Sequence, residues 1–193
     1  MAEVEPLRSI ADVKRMYNWL NEHATPREAE CFLIGCNVAL RAGDLLKLRF
    51  EQMNATHIDI CEQKTGKKKR LPITKIVRDA ANRLKAYYAR KNFDAVYLFQ
   101  STSNRAKSLC QPICIQWLGF EFKRASRALK LGYNVNTHSM RKTWDYHAYE
   151  RGEDILYIQA LLNHSHQHVT LRYIGVTKTA IEQMYHDNTL EIA

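Results

Sequence analysis

His138-Ser139-Met140-Arg141 opens the stretch that decides how this chain is read. It runs on through the apolar Ile155-Leu156-Tyr157-Ile158-Gln159-Ala160-Leu161-Leu162 to Asn163-His164-Ser165 and ends at Tyr173. A histidine and an arginine three positions apart share one helix face, because side chains at i and i+3 are surface neighbours. A second histidine closes the next helix, and a tyrosine stands nine positions beyond it. Two imidazoles, a guanidinium and a phenol make poor sense as core packing. They make good sense around a phosphate.

At these residues the chain resembles the tyrosine recombinase, or phage integrase, family of DNA strand-exchange enzymes. The family signature is His-x-x-Arg, a helix ending Leu-Gly-His, and a nucleophilic Tyr nine residues on. Here it reads His138-x-x-Arg141, Leu162-Asn163-His164 and Tyr173. Asn163 stands for the usual Gly, and both residues readily take a left-handed helix C-cap. Lys142 occupies a place where a further His is common and receives no catalytic role. Upstream, Ala39-Leu40-Arg41-Ala42-Gly43-Asp44-Leu45-Leu46-Lys47-Leu48-Arg49-Phe50 resembles the family's first arginine box, Gly-Leu-Arg-x-x-Glu-Leu-x-x-Leu-x-Trp. The essential hairpin lysine of the family falls on Lys64, in Lys64-Thr65-Gly66, with Lys67 as the alternative.

The resemblance implies a mainly α fold with a small antiparallel β-sheet, the tyrosine recombinase catalytic-domain fold. It covers about Pro6 to Met184, so residues 1–193 are expected to form a single catalytic domain without the N-terminal core-binding domain common in the family. It also implies an enzyme that cuts and rejoins DNA through a covalent 3′-phosphotyrosine, with no cofactor, metal or ATP. Arg41, Arg141 and His164 would serve the non-bridging oxygens of the phosphate. Tyr173 would attack, His138 would take or position its proton, Lys64 would protonate the leaving 5′ oxygen, and Asp44 would orient Arg41 or its neighbours. The chemistry suits these residue types. Guanidinium is always charged and presents a planar fork of donors, and a phenol of pKa near 10 must lose its proton as it attacks. The expected partner is double-stranded DNA, with self-association into a synaptic tetramer through the C-terminal segment. Taken singly, Arg41 could be a salt-bridge partner of Asp44, and Tyr173 a half-buried core residue. For the whole chain the rival readings are a non-cutting DNA-binding regulator on the same scaffold and a type IB topoisomerase-like enzyme.

Charge agrees with a polyanionic partner. The net charge is +9 and the pI near 9.4. Residues 138–193 hold five Lys/Arg against seven Asp/Glu, so the excess sits in residues 1–137, with twenty-four basic and thirteen acidic groups. Lys67, Lys68, Lys69 and Arg70, together with Arg105 and Lys107, are read as phosphate contacts. No apolar run approaches the roughly 20 residues that span a bilayer. The start, Met-Ala-Glu-Val-Glu-Pro, is acidic where a secretory signal would be basic. A cytoplasmic, DNA-associated protein is expected. The five cysteines are odd in number and irregular in spacing, as fits free thiols. His164, His166 and His168 invite a metal assignment, but the motif already accounts for His164, and no metal is assigned.

Periodicity and punctuation predict helices over Ile10–His23 (capped by Ser9), Arg27 to about Leu40, Lys75–Lys91 (capped by Thr74) and Ile113–Leu131 (ended by Gly132). A last helix is expected over Lys178–His186. The second should lie at the centre of the core, being apolar nearly all round its later half. Strands are expected at His57–Glu62 and Arg70–Ile73, joined by a basic hairpin turn. Lys75–Lys91 shows a basic outer face, and Lys123, Arg124, Arg127 and Lys130 place a basic end on the helix over Ile113–Leu131. Trp117, Phe120 and Phe122 are assigned to the core, and Gln100–Gln111 to a loop near DNA.

Overall fold

Capping starts the first helix where the sequence places it. Ser9 Oγ accepts the backbone N–H groups of Ala11 and Asp12 at 3.1 and 3.4 Å, and α1 runs Ile10–His23. Thr25 caps α2, Pro26–Val38, and Pro26 sits in the first turn, where its missing N–H costs nothing. The computed structural model describes residues 4–104 and 109–175, together with 186, 187 and 189. Arg105, Lys107 and nearly all of the helix expected over Lys178–His186 lie outside the described residues.

α2 is the centre of the first of two compact units, residues 1–144 and 145–193. Ala29, Cys31, Phe32 and Ile34 are fully buried, and α2 packs against α1 and against α4, Lys75–Ala89. Its polar residues are buried with partners, as a desolvated charge requires. Glu28 pairs with Arg27 at 2.6 Å, and Glu30 takes both Arg83 Nε and Nη2, at 2.5 and 2.8 Å. Arg83 therefore stays 47% exposed on the basic face expected of α4, but tied down by a buried carboxylate. Arg78 is drawn inward, donating to the carbonyls of Met53 and Ala55.

α2 stops at Val38 because Ala39 turns left-handed, with φ 51° and ψ 30°. A short α3, Ala42–Leu45, and a 3₁₀ turn, Phe50–Asn54, lead into the hairpin. β1, His57–Cys61, pairs antiparallel with β2, Lys68–Pro72, with Ile58 opposite Leu71 and Ile60 opposite Lys69. Thr74 caps α4 as expected. The buried Tyr88 places its hydroxyl 3.1 and 3.0 Å from the carbonyl oxygens of Leu98 and Gln100, which fixes the apolar segment after the helix.

α5 spans Ile115–Ala128, two residues later than expected at its start, with Cys114 Sγ accepting the Trp117 N–H. Gly132 does not end it. Lys130 takes the left-handed position at φ 52°, and the N–H groups of Lys130 and Leu131 reach back to Arg127 and Ser126, a Schellman closure. The aromatic assignment on α5 is corrected as well. Phe122 is buried and meets Phe32 edge to face, whereas Trp117 and Phe120 are 45% and 55% exposed and stack on each other. Leu118, Phe122 and Ala125 follow the buried face at i, i+4 and i+7, which turns positions 117 and 120 outward. Arg124 is structural, donating to the His23 carbonyl and covering the Trp19 ring. Lys123, Arg127 and Lys130 line an open groove.

α6, Thr137–Glu150, begins in the first unit and ends in the second. Its start can approach α2 closely because position 35 is Gly, where an added Cβ would run into the Met140 sulfur. In the second unit, α7 (Ile155–Leu162) packs on α8 (Gln167–Ile174), burying Ile158, Leu162, Thr170 and Ile174. Among the described residues no helix is long and apolar enough to cross a membrane.

Candidate active site

Two expected site residues of the first unit, Arg41 and Arg141, meet at a carboxylate. Arg41 follows the left-handed Ala39 and caps α3 from an extended conformation, φ −67° and ψ 145°. Its Nη1 lies 2.7 Å from Glu62 Oε2. Arg141, on the first turns of α6, places Nη1 3.8 Å from Glu62 Oε1, and Lys69 Nζ stands 3.1 Å from the same oxygen. Glu62 is fully buried, and the Lys69 and Arg41 side chains are 12% and 22% exposed. Burial alone would raise the Glu62 carboxyl, but hydrogen bonds from Thr65, Arg41 and Lys69 outweigh it and hold the group at about 2. Lys69 is lowered from the ordinary lysine value, first by burial and then by repulsion from Arg141.

Two expectations change here. The salt bridge between Arg41 and Asp44 is not formed. Asp44 Oδ1 instead accepts the Gln63 N–H at 3.0 Å, while Gln63 Nε2 donates to the Gly43 carbonyl, so α3 holds the end of the hairpin strand. Lys69 is no solvated phosphate contact but a member of the buried cluster. Strand alternation carries the signal for both newly found residues: Glu62 shares the inward parity of Ile58 and Ile60, and Lys69 that of Leu71. Lys64 sits exposed at the hairpin turn, where Gly66 supplies the positive φ of 66°, and Lys67, Lys68 and Arg70 are exposed as expected.

His138 shares the first turns of α6 with Arg141. Its pKa is lowered from the ordinary histidine value, first by partial burial of the ring and then by the positive fields of Arg141, Arg41, Lys142 and Lys64. A neutral imidazole at pH 7 can accept a proton. If His138 serves as the acceptor, its protonation below pH 6.5 is what should slow strand cleavage. The rate measured at subsaturating duplex, which reports the free protein, is expected to stay flat from pH 8 to below about 6.5 and fall only at more acid pH. In His138→Gln that acid limb should disappear from a rate already reduced about 10²-fold; an unchanged limb would assign it elsewhere.

The second unit brings His164 and Tyr173 together. α7 ends in a Schellman closure, with Asn163 left-handed at φ 57° and ψ 37° and the His164 N–H on the Gln159 carbonyl at 3.1 Å. The cap expected of Asn163 is therefore present. His164 Nδ1 lies 3.1 Å from Thr170 Oγ1, and its ring meets the half-buried Tyr173 ring edge to face at 5.1 Å. Asn163→Gly should leave thermal stability unchanged or slightly raised, while Asn163→Ala, whose methyl lacks the amide that lets asparagine tolerate the left-handed region, should cost about 1 kcal/mol in denaturant unfolding. His166 and His168 stack on each other, and among the described residues no three His, Cys, Asp or Glu side chains are grouped to hold a metal.

Comparison with known proteins adds the relatives. The profile of the Phage integrase family matches residues 9–180. The probable integrase/recombinase YoeC of Bacillus subtilis (strain 168) is 31% identical over 183 residues, covering 94% of this chain and 95% of YoeC. The tyrosine recombinase XerA of Pyrococcus furiosus is 29% identical over 163 residues, covering 81% of this chain and 54% of that protein. The fold is that of a crystal structure of XerA recombinase, with a TM-score of 0.72 over 99% of this chain and 67% of that one, at 19% identity. A lambda integrase(75–356) dimer bound to a COC′ core site gives 0.67 at 17% identity, covering 90% and 61%.

Proposed function

Since this chain belongs to the Phage integrase family, we propose that it is a site-specific DNA recombinase that cuts and rejoins strands through a 3′-phosphotyrosine on Tyr173. The observation that supports this best is the gathering of Arg41, Lys69 and Arg141, from three separate segments, about one buried carboxylate. Such a surplus of fixed positive charge is what a phosphodiester transition state needs when no metal supplies it.

In the proposed reaction the Tyr173 oxygen attacks phosphorus, forming the Tyr–O–P bond as the P–O5′ bond breaks. The phenolic proton passes to His138. Arg41, Arg141 and His164 carry the growing charge on the non-bridging oxygens. The hairpin lysine Lys64 protonates the departing 5′ oxygen. The reverse sequence joins a new 5′ hydroxyl without ATP, because the phosphotyrosine keeps the bond energy. The exposed Lys67, Lys68 and Arg70, with Arg105 and Lys107, would hold the flanking backbone. A tetramer on two duplexes, associated through the C-terminal segment, and residence on cellular DNA belong to the same proposal, as does action of both units as one catalytic domain.

The test uses a library of nicked duplexes with a randomised core, in EDTA and without nucleotide. A denaturation-resistant protein–DNA adduct enriched for one sequence is expected, with release of the protein when a 5′-hydroxyl strand is added. No adduct on any member would leave the non-cutting regulator. Relaxation of supercoiled plasmid without sequence preference would favour a topoisomerase.

A further inference from the structure

Glu62 is built into its place more firmly than an incidental ion-pair partner would be. Its N–H donates to the Lys67 carbonyl at 2.9 Å, its carbonyl accepts the Gly66 N–H at 2.8 Å, and Thr65 Oγ1 donates to Oε2 at 2.7 Å. Asp44 secures the next residue, Gln63, from α3. The carboxylate thus has a fixed backbone, a fixed side-chain oxygen and no solvent exposure.

The charge count around it is lopsided. Among the described residues three cations, Arg41, Lys69 and Arg141, lie 2.7–3.8 Å from this one carboxylate, so positive charge exceeds negative in these contacts. A buried pair made only for stability would be neutral, because each further desolvated cation raises the cost. Here the carboxylate holds like charges side by side and leaves a net positive field. That arrangement suits a ligand of one negative charge arriving from outside, which a phosphodiester is.

We propose that Glu62 is a positioning residue: it sets the spacing of the Arg41 and Arg141 guanidiniums, with Lys69 beside them, so that they are in place before the scissile phosphate arrives. Glu62 does not touch the reacting atoms. It is the carboxylate that Arg41 meets, while Asp44 holds the neighbouring Gln63. The proposal rests on the strand-exchange reading for its catalytic consequence and on the geometry of the free protein for its structural one.

Both halves are tested with Glu62→Gln and Glu62→Asp. On the duplex recovered from the library, Glu62→Gln should cleave about 10²-fold more slowly in single turnover, the scale of a misplaced catalytic group, with duplex affinity within about threefold of wild type. Glu62→Asp, which keeps the charge on a shorter arm, should recover part of that rate. In the free protein, 15N spectra of the arginine side chains should show slowly exchanging signals for Arg41 and Arg141, identified by their loss in Arg41→Lys and Arg141→Lys. Both signals should collapse in Glu62→Gln while the other arginine signals persist, which separates positioning from general loss of fold. Cleavage by Glu62→Gln at or above the wild-type rate would overturn the proposal, since the carboxylate would then be neutral or a competitor of the phosphate. Unchanged Arg41 and Arg141 signals would overturn it too. If wild type itself gives no adduct, the strand-exchange reading falls, and the arginine signals alone decide whether Glu62 positions the two guanidiniums.

Discussion

Tyr173→Phe is expected to bind the recovered duplex within about twofold of wild type and to form covalent adduct at least about 10³-fold more slowly. One oxygen is lost and the ring remains. The half-buried aromatic can still pack edge to face on His164, and His164 keeps its Thr170 contact. A change confined to the nucleophile lowers the rate of the bond-making step and leaves ground-state binding alone. The pair of measurements is affinity by fluorescence anisotropy and adduct by denaturing gel. A matching fall in both would mean that the phenol is a binding group.

Loss of either arginine should be nearly as damaging to cleavage. Arg141→Ala and Arg41→Ala are each expected to cut the single-turnover rate by about 10²–10³-fold, the cost of one well-placed donor to a developing anion. Lysine at either position should restore little, since an ammonium lacks the planar fork. Stability separates the two roles further. Glu62, held at about 2, contributes stability that is complete above the ordinary carboxylate pKa and is lost as pH falls toward about 2. Arg41 supplies one of the hydrogen bonds that hold it there, so Arg41→Ala should raise the folded-state value and move the acid-unfolding midpoint to higher pH. An acid titration followed by circular dichroism reads this directly.

Much of this was legible in the sequence because it rests on local chemistry. Ser9, Thr25 and Thr74 cap where hydroxyls are expected to, Asn163 takes the left-handed position that Gly usually fills, and β-period alternation places the hairpin. The misses are tertiary. Glu62 is not singled out, since it lies far from Arg41 in sequence. The partner that Arg41 finds is Glu62, brought in by the hairpin. Lys69 looks like one more member of a basic run, yet strand parity with Leu71 turns it inward, away from Lys68 and Arg70. Trp117 and Phe120 read as core by size, but helix phase set by Leu118 and Phe122 leaves them outside. Gly132 looked like the end of α5, whereas Lys130 accepts the strained turn two residues earlier. At Lys69, Trp117 and Phe120 residue type pointed one way and geometric phase the other.

The central claim is a covalent bond between the Tyr173 oxygen and a 3′ phosphate, and mass spectrometry of the trapped adduct tests it most directly. After nuclease trimming and tryptic digestion, the peptide Tyr173-Ile174-Gly175-Val176-Thr177-Lys178 should carry the mass of a 3′-linked nucleotide on its tyrosine. A nucleotide on any other residue, or linkage through a 5′ phosphate, would contradict it.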